Sequence, residues 1–252
     1  MKREFSLPAG FAGRVCFLAI ATFSSIALAP SAHAQIIVQE VVRYIKPKQR
    51  PVENILLKNT DDKRSFEVTT DVIREIGSGS PDRTQEPTKD IIIAPPSFII
   101  KPGETKLTRM VLSKPADPNE ERIYRVHFRP GKGRTPDADA KPDPQGGVKT
   151  QITFVTTTGM LILVAPQNMD PKLTYTRDKD AITFKNDGNV TLDIRRFDNY
   201  CFDQEQKDCM DLPGYRLYPG QSWRLEIPGN KPVRYNYSAY EDIRSITVDA
   251  QN

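Results

Sequence analysis

The sequence predicts an all-β protein built from two immunoglobulin-like β-sandwich domains. Three observations carry that expectation. Apolar residues recur in short β-branched and aromatic runs, and the i, i+3, i+4 spacing of an amphipathic helix is weak almost everywhere. Turn residues separate the runs, and the 252-residue chain holds 21 prolines and 14 glycines. About seven runs precede Pro166, the number an immunoglobulin-like sandwich needs, and a second set in the same style follows it.

The first 34 residues read as a removable segment. Lys2, Arg3 and Arg14 supply positive charge, Cys16 to Leu28 is mostly apolar, and Ala32-His33-Ala34 is an A-x-A cleavage site. That is the pattern of a secretory signal peptide, residues 1–34, cleaved after Ala34. The apolar run is short and broken by Thr22, Ser24 and Ser25, which argues against a membrane anchor. The mature chain is then expected to start at Gln35 and to be soluble and exported. No later stretch is long and apolar enough to span a bilayer.

The expected elements follow in order. Ile36 to Ile45 is the first run, stopped by Pro47. Val52 to Lys58 comes next, closed by the turn Asn59-Thr60-Asp61-Asp62. Ser65 to Ile73 is the third, and Gly77 to Thr88 is a polar loop. Ile91-Ile92-Ile93 and Phe98-Ile99-Ile100 flank Pro95-Pro96 and read as an edge strand with a proline kink. After the Pro102-Gly103 turn, Thr105 to Leu112 and Arg122 to Phe128 read as a hairpin-like pair. Arg129 to Gly146 is a long Pro/Gly/Asp-rich loop, of the kind that is functional or disordered. Val148 to Val164 is one long strand. Past Pro166 the runs are Lys172 to Thr176, Ala181 to Lys185, Val190 to Phe197, Ser222 to Ile227, Val233 to Tyr237 and Ile243 to Val248. The expected domains are 35–166 and 167–252, with no clear internal sequence repeat between them.

Charge narrows the function. The net charge is +4, from 36 lysines and arginines against 32 aspartates and glutamates. Both signs are interspersed, which reads as a solvated surface and gives no case for nucleic acid. Of three cysteines, Cys16 leaves with the signal. Cys201 and Cys209, an even pair in an oxidising compartment, are expected to form one disulfide, two free thiols being the alternative. Two cysteines without a nearby histidine do not make a metal site. Past the signal the sole histidine is His127, inside a strand run and with no nucleophile motif beside it. P-loop, GxGxxG, HExxH and CxxC patterns are missing. Tyr200, Trp223, Tyr235 and Tyr237 read as core or corner residues. The chain therefore reads as a binding protein that needs no cofactor, and not as an enzyme.

Four segments then resemble the periplasmic chaperones of the chaperone–usher pathway, the PapD-like superfamily. Val42-Arg43-Tyr44-Ile45-Lys46-Pro47 resembles the first-strand R-V-I-Y-P motif. Phe98-Ile-Ile-Lys-Pro-Gly103 is similar to its apolar-then-Pro-Gly turn, and Tyr124-Arg-Val-His-Phe-Arg-Pro130 to its Y-R-V-x-F strand. Gly159-Met-Leu-Ile-Leu-Val-Ala-Pro166 resembles the end of the last strand of the first domain. The stretch from Pro115 to Arg125, the Asn186-Asp-Gly-Asn-Val-Thr-Leu192 segment, the cysteine spacing and the Leu217-Tyr-Pro-Gly220 turn resemble the alternate, alpha-clade (common-pilus) branch. The resemblance covers nearly all of 35–252.

That resemblance implies an L- or boomerang-shaped pair of domains and a mode of action, donor-strand complementation. A pilin is a sandwich lacking its final strand, and the chaperone lends an edge strand, with backbone bonds for affinity and alternate side chains for fit. The implied donor strand is Val148 to Thr158, where Val148, Thr150, Ile152, Phe154 and Thr156 share a face. The family also anchors the pilin's C-terminal carboxylate on basic residues in the cleft between the domains. Arg43 matches the first-strand arginine. The last-strand lysine is replaced by Leu161, so Arg125, and more weakly Arg109, are the candidates for the second anchor. The implied partners are pilin subunits and an outer-membrane usher, and an exposed donor edge allows self-association. Two other readings compete. A periplasmic ligand- or carbohydrate-binding protein predicts a pocket lined by aromatic residues, in which the first domain is poor. A pilus structural subunit predicts a single incomplete sandwich.

Overall fold

The computed structural model describes residues 35–48, 51–134, 155–195, 200–201, 209–210, 214–227, 230 and 232–251, with the backbone alone at 195, 200–201 and 209–210. The first part of the chain forms β1 (Ile36–Val38), β2 (Val42–Ile45), β3 (Val52–Asn59), β4 (Phe66–Ile76), β5 (Thr84–Pro87), β6 (Ile91–Ala94), β7 (Ser97–Ile100), β8 (Thr105–Leu112), β9 (Arg122–Pro130) and β10 (Thr158–Val164). These build two facing sheets. One has the order β1-β3-β8-β6, and the other β2-β10-β9-β4-β5, with β7 also on β4.

Period-2 alternation explains the layering. In β3, Ile55, Leu57 and Asn59 are buried while Asn54, Leu56 and Lys58 face out. In β9, Tyr124, Val126 and Phe128 point inward, with Arg125, His127 and Arg129 on the other face. Phe66, Tyr124 and Phe128 are fully buried in this core, beside Met110, Met160 and Ile162. Each such side chain contributes about 1.5–3 kcal/mol on leaving water.

Four details differ from the sequence expectation. The run Ile36–Ile45 divides, because β1 joins β3 in one sheet while β2 runs parallel to β10 in the other. The run across Pro95-Pro96 divides in the same way, β6 pairing with β8 and β7 with β4. β8 and β9 are not a hairpin: they belong to opposite sheets, so the segment between them crosses the sandwich. The polar Gly77–Thr88 stretch contains β5, a fully exposed edge strand that pairs with the end of β4.

The second part forms β11 (Leu173–Asp178), β12 (Ala181–Asn186), β13 (Leu192–Arg195), β14 (Tyr200–Cys201), β15 (Cys209–Met210), β16 (Tyr215–Leu217), β17 (Ser222–Glu226), β18 (Val233–Ala239) and β19 (Asp242–Val248). The sheets are β11-β12-β17 and β16-β13-β18-β19, with β14-β15 as a small ribbon that sets Cys201 opposite Cys209. Trp223, Tyr235 and Tyr237 pack in or against the core, Tyr235 edge-on to Phe184 with ring centroids 4.9 Å apart.

The two sandwiches share a corner that the sequence reading did not recognise as a repeat. Asn59 closes β3 and Asn186 closes β12, and both side chains are fully buried. Asn59 Nδ2 donates to the carbonyls of Arg64 and Lys101 at 2.7 and 2.9 Å, and Asn186 Nδ2 to those of Val190 and Leu217 at 2.8 and 2.9 Å. Each Oδ1 accepts the backbone N–H two residues on, at 3.0 Å. Each corner pins an x-Pro-Gly turn whose glycine, Gly103 or Gly220, has positive φ (67° and 77°). Gly188 in the second corner is fixed by closeness: a Cβ there would lie 2.1 Å from the Asp170 carbonyl oxygen.

Both faces of β10 are buried, which its unbroken Met160–Val164 apolar run reflects. Met160, Ile162 and Val164 enter the first core. Leu161, Leu163 and Ala165 join the core of the second sandwich, together with Ile123. The two sandwiches belong to one compact unit.

Candidate functional site

The open edge of the sheet containing β10 is the place to begin. β2 pairs with β10 only from Val42↔Leu161 to Ile45↔Val164. On its other side β10 is paired with β9 back to Thr158. Among the described residues, no strand pairs with the β2-side edge of Thr158–Met160. The edge ahead of β2 is therefore a slot without a ladder partner, bounded by β1, whose Ile36 carbonyl bonds the Thr158 hydroxyl, and by Val41, whose carbonyl accepts from the Leu161 amide at 2.8 Å. Glu40 and Val41, which lead into β2, are exposed at the head of this slot.

Arg43 sits beside it. In β2, Val42 and Tyr44 pack toward the second sandwich, so Arg43 points to the opposite face, toward the first sandwich's own seam. Its Nη1 donates to Glu53 Oε2 at 3.0 Å, and its Nη2 pairs with Glu40. Nε is buried and has no hydrogen-bond partner among the described residues. The guanidinium borders an opening of about 480 Å3 whose walls include Glu40, Asn54, Leu56 and Leu107.

Arg125 lies on the other face of the same sheet, directly opposite Leu161 across the β9–β10 ladder. Its Nε donates to Glu75 on β4, so the guanidinium is drawn away from β10. Glu75 has a side chain 1% exposed and also accepts from Gln85 Nε2 at 3.0 Å. Burial pushes its carboxyl up, but the Arg125 guanidinium and the Gln85 amide outweigh burial and hold it below the usual range. Arg109 is on β8, in the opposite sheet, across from Asn54 and Ala94. The three candidate cations thus stand at three places. Arg43 and Arg125 flank one sheet from its two faces, and Arg109 is not brought to them.

His127 and Arg129 share the face of Arg125. Asp71 lies 3.0 Å from His127 Nδ1 and accepts from Arg129 Nε at 2.5 Å, and these contacts hold its carboxyl below its ordinary value. Of the expected donor face, Val148, Thr150, Ile152 and Phe154 lie outside the described residues, as does the expected signal segment 1–34. Thr156 is described. It is exposed and lies in the non-strand stretch 155–157, so the expected continuous strand from 148 to 164 does not extend through it.

The family model for the pili and flagellar-assembly chaperone, PapD N-terminal domain, matches residues 36–170. The chain belongs to this chaperone family. A search of curated protein sequences finds no significant match. Among solved structures, the chaperone is similar to the class 5 fimbriae chaperone CfaA, with TM-score 0.56 and 19% identity over 86% of this chain and 99% of that one. It is similar to the E. coli chaperone DraB (TM-score 0.55, 14% identity, 86% and 96% covered). A third similar structure is the Salmonella enterica SafA pilin in complex with the SafB chaperone (0.54, 10%, 86% and 97%). At these identities the likeness speaks for a shared two-domain fold.

The junction between the chaperone's sandwiches holds residues that the sequence reading did not single out. Glu121, 8% exposed, accepts from the Thr191 amide at 3.0 Å and the Tyr240 hydroxyl at 2.8 Å, and also bonds the Thr191 hydroxyl. Burial pushes its carboxyl up, against the pull of those hydrogen bonds, and Asp193 adds to the rise. Tyr44 bonds Asp193 and meets the Tyr240 ring edge-on at 5.2 Å, while Arg216 Nε donates to Asp193 at 2.9 Å. The signal for Tyr44 was available, since period 2 puts it on the face opposite Arg43. Nothing local marks Glu121, whose partners are 70 and 119 residues away.

Proposed function

We propose that this chain is a periplasmic chaperone that captures pilin subunits by donor-strand complementation and delivers them to an outer-membrane usher. The donor is the segment 148–156, with Val148, Thr150, Ile152, Phe154 and Thr156 toward the subunit. Family membership supports the chaperone role. The observation that carries the mode of capture is the unpaired edge of β10 ahead of Leu161, where an added strand would extend the sheet in line with β2.

Arg43 at the head of that slot is the anchor for the subunit's terminal carboxylate, since a guanidinium can take a carboxylate bidentately. Arg125 is the second cation, on the face where the family's lysine position, Leu161, is buried in the junction core. Arg109, in the other sheet, has no geometric claim on the same carboxylate. We assign residues 1–34 to a cleaved signal, 35–166 and 167–252 to the two domains, Cys201–Cys209 to a disulfide, and the chain to the alternate, alpha-clade branch.

Co-purification from a bacterial periplasm with the pilin encoded beside the chaperone tests the anchor. A charge-assisted hydrogen bond contributes roughly 1.5–3 kcal/mol, so Arg43→Ala should lower capture by about ten-fold or more. Arg125→Ala should lower it less, because Glu75 draws that guanidinium away from β10 toward β4. Wild-type capture by Arg43→Ala would remove Arg43 from the site.

A further inference from the structure

We infer that Glu40 is a built-in occupant of the Arg43 anchor, holding the place of the subunit's carboxylate until a subunit displaces it. The inference rests on Arg43 being the anchor. Two glutamates hold the Arg43 guanidinium, and they differ in kind. Glu53 has a side chain 19% exposed and comes from β3 in the facing sheet. It fixes Nη1 from within the framework. Glu40 is 49% exposed and lies in the short link between β1 and β2, outside any strand. Of the two, Glu40 is the one that can leave without disturbing a sheet.

The pairing is also incomplete. Glu40 meets Nη2, while Nε, on the same edge of the guanidinium, is buried with no hydrogen-bond partner among the described residues. An incoming main-chain carboxylate can offer one oxygen to Nη2 and the other to Nε, which is the stronger bidentate arrangement. Exchange of Glu40 for that carboxylate therefore leaves the charge count at Arg43 unchanged and supplies the missing acceptor. It also gives a reason for an acidic residue at the entrance of a carboxylate site. With Glu40 in place, stray carboxylates meet a guanidinium that already carries two carboxylates, and a subunit gains the anchor only once its strand already lies in the slot.

The test uses the full mature chain. The neighbouring pilin, unfolded in urea, is diluted into a series of chaperone concentrations, and the soluble one-to-one complex is quantified by size exclusion. Glu40→Gln should tighten the apparent Kd by about two- to five-fold, the range expected for relieving a partly exposed ion pair. The gain should shrink as sodium chloride is raised, and it should vanish in the Arg43→Ala background. Glu53→Gln should weaken capture, since Glu53 orients the guanidinium. If Arg43→Ala weakens capture and Glu40→Gln leaves it unchanged or weaker, the placeholder is refuted and the anchor stands. If Arg43→Ala has no effect, or the wild type captures no pilin, the anchor itself is lost and this inference with it.

Discussion

Asn59 and Asn186 do the same work in the two sandwiches, each holding a strand end against a distant Pro-Gly turn. The halves of each corner were readable: Lys-Asn before a turn, and an apolar residue two positions before Pro-Gly. Their pairing was not, because the partners are 42 and 31 residues apart and only the buried amide joins them. The repeat thus lives in hydrogen bonds, with almost no shared sequence. Asn186→Ala would leave two buried carbonyls and the Gly188 amide without that partner. Each orphaned buried group costs about 1–3 kcal/mol, so the variant should lose roughly 2–4 kcal/mol in urea unfolding. A loss within error of zero would show that water or the backbone takes over the corner.

Strand runs were legible at the level of elements, and their sheet membership was less so. Ile36–Ile45 and Ile91–Ile100 each read as one run, yet each divides between the two sheets at an edge of the sandwich. Apolar alternation reports which residues face inward, and in a sandwich both sheets supply the same signal. The β8–β9 hairpin expectation failed for the same reason. β10 was read as the end of one strand from Val148 to Val164, yet the described strand begins at Thr158; its unbroken apolar run fits burial on both faces, and the second core supplies the cover. Leucine at position 161 suits that burial. Leu161 is 6% exposed among apolar junction residues. Leu161→Lys would forfeit that burial and bring a charge into the junction. It should cost about 2–4 kcal/mol of stability, seen as a lower urea midpoint, and should not improve capture. Improved capture at unchanged stability would mean that position 161 still opens to the subunit.

At the scale of the whole molecule, the junction is a shared apolar core, and Glu121 is a carboxylate buried in it. Its raised carboxyl has a defined consequence. A group whose folded pKa lies above its unfolded value favours the protonated fold, so its stabilising contribution is present at low pH and declines as pH rises through the folded value. Asp71 and Glu75, held low, act in the opposite sense and lose their contribution as pH falls through their folded values. Glu121→Gln should therefore compare best with wild type at neutral and higher pH, where the wild-type carboxylate is buried as a charge. The variant's relative stability should fall as the pH is lowered toward the ordinary carboxyl range. Unfolding midpoints of both proteins across that range measure it, and a difference independent of pH would contradict the assignment.

The central claim is that this chaperone lends alternate side chains of one strand to a pilin. Capture of the neighbouring pilin by two paired variants tests it most directly. Ile152→Ala with Phe154→Ala empties two positions of the proposed donor face, and Gln151→Ala with Thr153→Ala alters the face behind it. Each plug buries about 1.5–3 kcal/mol of apolar surface. The account predicts loss of the one-to-one complex by orders of magnitude in the first variant and near wild-type capture in the second. Equal capture by both, or a greater loss in the second, would contradict it.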